Sequence, residues 1–220
     1  QSPHHELESV LANFKGTESA LAFSSGYAAA IGTIPALVGT GDVVVLDKLV
    51  HASLVDAAKL SGAKLRVSKH NDLADLARIL EWAAEQGGRT LMVAESVYSM
   101  DGDLAPLLNL VELKEQHGAW LMLDEAHATG LYGEGRRGVA EEFDVAARVE
   151  VQMGTLGKAL GAAGGYICGS NELVDLLRHR ARSFVFSTAP MPAQAAAARA
   201  GIKVLESAEG EDRRTRLWSL

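Results

Sequence analysis

The chain has 220 residues, of which 48% are hydrophobic and 22% charged, and this is enough for one sizeable α/β domain with a buried core. The formal net charge of -7 and the lack of a long Lys/Arg cluster argue against nucleic acid as a partner, and no apolar run is long enough for a membrane span. The single cysteine, Cys168, excludes an intrachain disulfide, so we expect a reducing, cytoplasmic setting.

Amphipathic helical runs alternate with short apolar runs along the chain. Helical spacing of apolar residues predicts helices at 7–14, 26–37, 52–60, 73–85, 107–117, 172–182 and 192–205. Apolar and β-branched runs predict strands at 20–23, 43–46, 64–68, 90–94, 120–123, 149–153, 165–168 and 184–186. Strands that are continuously apolar are buried on both faces. The sequence therefore predicts an α/β fold with a mostly parallel sheet, covered by helices on both faces.

Both ends of the sequence look interrupted. Position 1 is Gln rather than Met, and residues 213–220 still follow an amphipathic helical pattern without a stop signal. We expect residues 1–205 to form one large domain whose N-terminal segment is missing. Residues 206–220 are expected to begin a helix that leads to a C-terminal small domain, itself absent.

Side chains that can bind ligands or take part in catalysis follow the predicted strands directly. In open α/β sheets, ligands bind beyond the carboxyl ends of the strands. The residues at those ends are Ser24, Ser25 and Gly26, then His51, Glu95 and Ser99, then Asp124 and His127, and finally Thr155 and Lys158. This placement predicts a functional site at one edge of the sheet.

The segment Ser24–Tyr27 joins a strand to a helix through two hydroxyls and a glycine. The first N–H groups of a helix have no internal partner and favour an anion, and glycine allows close approach of a phosphate. An ordinary N-cap with a tight turn explains the same residues.

Lys158 lies in a glycine-rich loop, Gly154–Gly161. A lysine in a desolvated pocket becomes a usable amine nucleophile, although most lysines are simply solvated. Asp124 ends a buried strand and needs a partner, such as a protonated ring nitrogen, unless it is a helix N-cap. The letters DEAH at 124–127 also match a helicase motif, but the required upstream phosphate loop is absent from the sequence.

The histidines allow several roles. His51 could be a base, a metal ligand, a flat stacking surface or a plain helix start. His4, His5 and Glu6 are adjacent rather than spaced for one helical face, so no metal is expected. Ser99 and the residues after it fit a turn equally well.

Taken together, these segments resemble the α-oxoamine synthases, pyridoxal-phosphate (PLP) enzymes with the aspartate-aminotransferase type of fold (fold type I). The resemblance covers nearly the whole chain, and no single motif carries it. It is carried by an ordered set: FSSGY (23–27), Asp47 with HAS (51–53), HND (70–72), ESVYSMDGD (95–103), DEAH (124–127), GTLGKALG (154–161) and RSF (182–184).

The resemblance implies roles for individual residues. Lys158 matches the lysine that holds PLP covalently, Asp124 the aspartate that pairs with the pyridine nitrogen, and His51 the histidine that stacks on the ring. His127 completes the implied catalytic set. The remaining implied cofactor contacts are His127 and Ser99 near the phenolic oxygen, Gly26 and Tyr27 around the cofactor, and Thr155 at the phosphate.

The family condenses an amino acid with an acyl thioester and loses CO₂. The run Ala181–Thr188 is most similar to the members that make 8-amino-7-oxononanoate for biotin, which implies L-alanine and a pimeloyl thioester, on CoA or a carrier protein. The run Glu95–Ser99 also occurs in members that make 5-aminolevulinate, so a sister enzyme that uses glycine stays open. A non-catalytic subunit of the same fold would lack the cofactor lysine, and Lys158 is present. An aminotransferase of this fold is a further alternative.

The segment 184–193 contains Thr188 between an apolar run and two prolines, Pro190 and Pro192. In the resembled family this stretch supplies a phosphate contact to the neighbouring subunit's cofactor. The resemblance therefore implies a homodimer with a shared active site, in which Thr188 reaches the partner's pocket. A plain Ser/Thr-Pro helix entry is the alternative.

Overall fold

In the computed structural model, which describes residues 2–220, strands and helices alternate along the chain. The strands are β1 (Ser19–Phe23), β2 (Val43–Asp47), β3 (Lys64–Ser68), β4 (Thr90–Glu95), β5 (Trp120–Asp124), β6 (Val151–Thr155) and β7 (Gly165–Gly169). The helices are α1 (Ser2–Lys15), α2 (Gly26–Leu37), α3 (Ala52–Ser61), α4 (Leu73–Ala84), α5 (Leu107–Gln116), α6 (Val139–Glu142), α7 (Asn171–Arg180), α8 (Arg182–Val185), α9 (Pro192–Leu205) and α10 (Ala208–Trp218). A short 3₁₀ turn spans Ala146–Arg148.

All seven of these strands form one sheet in the order β1-β7-β6-β5-β4-β2-β3. Neighbouring strands from β6 to β3 run parallel, and only β7 is antiparallel to both of its neighbours. The predicted mostly parallel sheet is confirmed. Parallel pairing brings the carboxyl ends of β2, β4, β5 and β6 to one edge, which is where the site residues follow.

Helices cover both faces of the sheet. On one face of β1 and β7, the small residues Ala20, Ala22 and Cys168 pack against α1 and α9. On the opposite face, Leu21 and Ile167 join a larger core with α2, α3 and α7. The middle strands are apolar on both faces, as the continuous runs predicted, because helices bury them from both sides.

Local signals set several helix ends. Ser25 caps α2 by accepting the Ala28 N–H, and Asp72 caps α4 by accepting the Asp75 N–H. Gly62 ends α3 with a φ of +74°, a conformation that disfavours side chains. The N-cap interpretation of Ser25 is therefore correct, and it leaves the anion interpretation of the same turn open, because Ser25 binds only one N–H.

The strand predicted at 184–186 is wrong. Residues 182–185 form the short helix α8, after a break at Ala181 in the helix predicted at 172–182. Tertiary contacts explain the difference: the Ser183 hydroxyl donates to the Ala28 carbonyl at 2.5 Å, and Phe184 packs edge-on against Phe23. These contacts hold the segment against α2 and the end of β1, where it does not pair as a strand of the sheet.

The strand predicted at 149–153 begins two residues later. Glu150 stands outside β6 because its carboxylate accepts the Leu121 N–H at 2.8 Å and pairs with Lys114 at 2.5 Å. Helix α6 and the 3₁₀ turn before β6 were not predicted, since neither is long enough to show a period.

The proposed division into two domains at residue 205 stays a prediction. The first residue of the predicted large domain, Gln1, lies outside the described residues. The segment after 205 forms α10, which is capped by Ser207 and held by an Arg136–Glu211 ion pair of 2.6 Å. Between residues 2 and 220 we find no helix with the length and apolar character that a membrane span needs.

Candidate active site

An open pocket with a cavity volume of about 130 Å³ lies at the carboxyl ends of β4, β5 and β6. Seven predicted cofactor residues line it, all except Ser99 and Thr188. The full lining is Gly26, Tyr27, His51, Ser53, Glu95, Asp124, Ala126, His127, Met153, Thr155 and Lys158. Residues separated by more than 130 positions thus meet at the edge predicted from their places after the strands.

Lys158 lies in the turn after β6, where the Gly161 N–H donates to the Lys158 carbonyl at 3.0 Å. It is exposed at the mouth of the pocket. Of the two settings considered for this lysine, the structure shows the solvated one, and two of the neighbouring glycines have conformational or packing causes. Gly161 adopts a φ of +61°, and a Cβ on Gly154 would lie 2.4 Å from the buried Tyr166 ring on the opposite face of the sheet.

Asp124 is the last residue of β5 and is buried, with 6% of its surface exposed. One carboxylate oxygen accepts the Ala126 N–H at 2.9 Å. Burial raises the pKa of Asp124, and the nearby charges of Lys158 and His51 only partly oppose that effect. A cationic ring nitrogen in the pocket would stabilise this carboxylate, which fits the partner that the sequence implied.

Glu95 is a pocket residue to which the sequence analysis assigned no role. It ends β4 in register with Asp124 and is 2% exposed. Burial, and then the charge of Asp124, raise the pKa of Glu95 to about 7 despite N–H groups donated by His51 and Ser99. The signal for this residue was its position: it closes a buried strand as Asp124 does.

His51 both starts a helix and lines the pocket. Its Nδ1 accepts the Ser53 N–H at 3.2 Å and lies 2.8 Å from the Ser53 hydroxyl, so the ring caps α3. Its own backbone N–H donates to the Glu95 carboxylate. With Nδ1 acting as an acceptor, a neutral ring has its proton on Nε2. The two interpretations of His51 are therefore compatible.

His127 is half-buried in the turn that follows β5. Burial lowers the pKa of His127, and the charges of Lys158 and His51 lower it further. The ring is thus neutral at pH 7 and can donate one hydrogen bond while it accepts another.

The far end of the pocket combines the N-terminus of a helix with a hydroxyl that has no hydrogen-bond partner. Gly26 begins α2, and a Cβ there would lie 2.6 Å from the Thr155 methyl carbon, so glycine permits their close approach. The Thr155 Oγ1 is buried without a hydrogen-bond partner. Tyr27 is exposed beside it, and its hydroxyl lies 3.1 Å from the Asp56 carboxylate. A helix N-terminus with a free buried hydroxyl fits an anionic group such as a phosphate.

Two predicted residues lie outside this pocket lining. Ser99 is exposed on the loop after β4, and its backbone N–H opposes the rise in the pKa of Glu95. Thr188 is exposed and borders a separate cavity with His4 and Pro190. Its proposed contact with a second subunit stays a prediction.

Within residues 2–220 there is no cluster of three His, Cys, Asp or Glu side chains suited to a metal ion.

Comparison with known proteins shows which family the chain belongs to. The sequence matches the family model described as aminotransferase class I and II over residues 1–220. The chain belongs to this family. In the aminotransferase class I and II family it is 57% identical over 215 residues to the 8-amino-7-oxononanoate synthase of Geobacter sulfurreducens, a match that covers 97% of this chain and 54% of the relative.

Solved structures agree with the fold. A serine palmitoyltransferase variant from S. paucimobilis with bound PLP and myriocin superposes with a TM-score of 0.95 at 35% identity, covering 100% of this chain and 54% of the other. The 8-amino-7-oxononanoate synthase of Francisella tularensis gives a TM-score of 0.87 at 31% identity, covering 99% and 62%. The predicted fold and the resemblance to the α-oxoamine synthases are confirmed. The chain spans about half the length of the curated relatives that it matches.

Proposed function

We propose that this chain forms the cofactor-binding part of a PLP-dependent enzyme that condenses an amino acid with an acyl thioester and releases CO₂. The observation that carries the proposal is the convergence of Lys158, Asp124 and Thr155 on one pocket. An amine, a buried carboxyl and a free buried hydroxyl are the groups that the aldehyde, ring nitrogen and phosphate of PLP require.

Each residue has a defined task in this proposal. The Asp124 carboxylate holds the protonated ring nitrogen, while Thr155 and the N-terminus of α2 bind the phosphate. The Lys158 amine attaches the cofactor and, once released by the substrate, accepts the Cα proton. Bound PLP supplies an electron sink for negative charge at that carbon.

The two histidines complete the proposed site. The His51 ring, held as the cap of α3, lies against the cofactor ring and restricts its tilt. Neutral His127 donates to oxygen atoms on which charge develops. Its lowered pKa supports this role, because a neutral imidazole keeps both a donor and an acceptor at pH 7.

For the substrates we propose L-alanine and a pimeloyl thioester, on CoA or a carrier protein, with 8-amino-7-oxononanoate as the product for biotin synthesis. The names of the curated relatives support this choice. The solved neighbours named serine palmitoyltransferase pair an amino acid with an acyl group, which supports the substrate classes but not this particular pair. The deciding assay offers full-length protein L-alanine, glycine and serine with several acyl thioesters. Better turnover of glycine than of L-alanine would reject the biotin assignment in favour of a sister enzyme.

Covalent attachment at Lys158 tests the cofactor assignment directly. Borohydride reduction of the PLP-loaded protein, followed by peptide mass mapping, should place the adduct on Lys158 and no other lysine. Lys158→Ala should abolish the adduct, whereas Lys69→Ala, at an exposed lysine outside the pocket, should retain it. An adduct on a different lysine contradicts the proposal.

We also propose a homodimer with a shared active site. Thr188 is exposed, and the flanking side chains Phe186 and Met191 are 73% and 64% exposed. Apolar side chains this open to solvent favour burial against another protein surface. A two-fold contact through this segment would bring Thr188 to the partner's pocket.

A further inference from the structure

The motif His70-Asn71-Asp72 has no part in the proposed site, yet its histidine connects the two loops that bound the site. The first loop, residues 47–51, follows β2 and contains His51. The second loop, residues 96–104, follows β4 and contains Ser99. His70 lies between them on the side away from the pocket.

The His70 ring makes one hydrogen bond to each loop. Its Nδ1 lies 2.9 Å from Asp47 Oδ1 in the first loop, and its Nε2 lies 2.8 Å from Asp103 Oδ2 in the second. The Tyr98 ring packs edge-on against it, with the centroids 4.5 Å apart. Carboxylate oxygens only accept, so both ring nitrogens donate and the ring is an imidazolium.

Asn71 repeats the same connection. Its backbone N–H donates to Asp47 Oδ2 at 2.9 Å, and its side-chain amide donates to Asp103 Oδ2 at 2.8 Å. To do both, Asn71 adopts a φ of +52°, in the left-handed region that costs energy for most residues. Two consecutive residues therefore bind the same two carboxylates, which indicates a built connection rather than a surface ion pair.

Both aspartates also order their own loops. Asp47 Oδ1 accepts the Leu49 N–H at 2.8 Å and so shapes the turn that leads to His51. The Asp103 carbonyl accepts the Tyr98 N–H at 3.0 Å, which closes the second loop around Ser99.

On the pocket side the same loops meet at Glu95. The Glu95 carboxylate accepts the His51 N–H, and the backbone N–H of Ser99 lies near enough to oppose the rise in the pKa of Glu95. Both loops thus approach Glu95 inside the pocket, and His70 joins them outside it.

We propose that His70 is a positioning residue that holds His51 and Ser99 at the pocket by joining the 47–51 and 96–104 loops. The inference rests on the proposed function for the roles of those two residues. His70 contacts neither substrate nor cofactor; it acts through the carboxylates of Asp47 and Asp103.

The charge on the ring makes the connection pH-dependent. Burial alone would lower the pKa of His70, but the hydrogen bonds that its ring donates to Asp47 and Asp103, together with their charges, outweigh burial and raise that pKa. The connection is complete below the ordinary histidine value and is lost as pH rises through the raised one. The other titratable groups near the His70 ring are the Tyr98 phenol, which itself lies near Glu95, and the chain neighbours Lys69 and Asp72. Lys69 and Asp72 lie 4.0 Å from each other.

Hydrogen exchange in the cofactor-free protein tests the connection without relying on catalysis. His70→Gln should raise amide exchange roughly 10-fold in peptides covering 47–51 and 96–104, with no change in β5 and β6. Asp103→Asn, which leaves the Asp47 contact intact, should loosen mainly the second loop. His179→Gln is the matched control, because His179 is exposed on α7 and its ring contacts only the Asp175 carbonyl.

The holoenzyme then tests positioning. His70→Gln should lower kcat roughly 10- to 100-fold with a small change in KM, and should alter the pH dependence of the bound-PLP absorbance. Wild-type kcat, absorbance and loop exchange in His70→Gln would overturn the inference, even if the variant melts earlier. If His70→Gln does not fold, unchanged exchange and kcat in Asp103→Asn overturn it. A wild-type protein that binds no PLP refutes the proposed function, while the exchange result still decides the connection.

Discussion

Glu95 and Asp124 lie opposite each other on neighbouring parallel strands, and both carboxyl groups are buried. Two adjacent buried carboxylates cannot both ionise without a large cost. The charge of Asp124 is, after burial, the second cause of the raised pKa of Glu95. A cationic ring nitrogen beside Asp124 would favour the ionised form of that residue and leave Glu95 as the group that keeps a proton.

Glu95→Gln should flatten the pH dependence of stability in the cofactor-free protein. Because the pKa of Glu95 rises from 4.5 to about 7 on folding, its contribution is complete below pH 4.5 and is lost as pH rises through 7. Between pH 5 and 8, wild type should lose on the order of 2 kcal/mol of unfolding free energy relative to the variant, measured in urea. Exposed Glu81→Gln should run parallel to wild type. Parallel curves for Glu95→Gln would show that Glu95 does not titrate in this range.

Asp124→Asn should lower kcat by at least about 100-fold, because the amide keeps the shape but cannot stabilise a protonated ring nitrogen. Asp124→Glu keeps the charge, moves it by one methylene and should fall in between. Product formation from L-alanine and a pimeloyl thioester is the measurement, with Asp212→Asn on exposed α10 as the control. Near-normal turnover in Asp124→Asn would exclude the assigned role.

The sequence predicted most elements of the fold because their signals are local. The apolar residues 43–46 of β2 are all buried, and Asp72 marks the start of α4. The segment 184–186 failed because three residues cannot separate a strand from one helical turn by period. Its conformation depends on Ser183 contacting α2 and on Phe184 contacting Phe23 at the end of β1, which no local pattern encodes.

The location of the site was predictable, and part of its chemistry was not. The rule for strand ends brought Asp124, Thr155 and Lys158 together correctly. The pairing of Glu95 with Asp124 depends on strand register, which the sequence does not state. Gly154, the first glycine of the predicted loop around Lys158, lies in β6, and its missing side chain makes room for a buried tyrosine ring.

The buried Lys15–Glu125 pair should contribute strongly to stability. The two charged atoms lie 2.5 Å apart with 1% and 0% of the side chains exposed, and the Lys15 amine also donates to the Arg137 carbonyl. Lys15→Met or Glu125→Gln leaves a buried charge unpaired and should cost about 3–5 kcal/mol in urea unfolding. The double variant should cost less than the sum of the two.

The exposed Glu115–Arg148 pair provides the comparison for this buried pair. Its side chains are 44% and 42% exposed at a distance of 2.6 Å. Glu115→Gln should cost far less than either buried substitution, because solvent screens this exposed pair. A similarly small cost for Lys15→Met would mean that the buried amine is not charged or is solvated in the folded protein.

Subunit mixing tests the shared site at Thr188. Lys158→Ala should be inactive, and Thr188→Val should be weak at limiting PLP because the partner's phosphate contact is lost. In a mixed dimer, one pocket combines an intact Lys158 with an intact Thr188 from the other chain, so mixing should restore about a quarter of wild-type activity. Native mass spectrometry verifies the mixed dimer. No recovery in verified mixed dimers would place Thr188 outside the partner's pocket.

Gly26→Ala should weaken PLP binding through Thr155, and a second substitution should reverse the effect. A Cβ at Gly26 would lie 2.6 Å from the Thr155 methyl carbon, so the threonine must move and take its free hydroxyl away from the phosphate position. We expect at least a roughly 10-fold rise in the Kd for PLP, measured by titration. Thr155→Ser removes that methyl and keeps the hydroxyl, so the double variant should bind within about 3-fold of Thr155→Ser alone. Gly39→Ala, whose Cβ would meet only the Ser61 carbonyl at 3.9 Å, should bind as wild type does. A double variant no better than Gly26→Ala would mean that the glycine serves the helix start itself rather than the position of the hydroxyl.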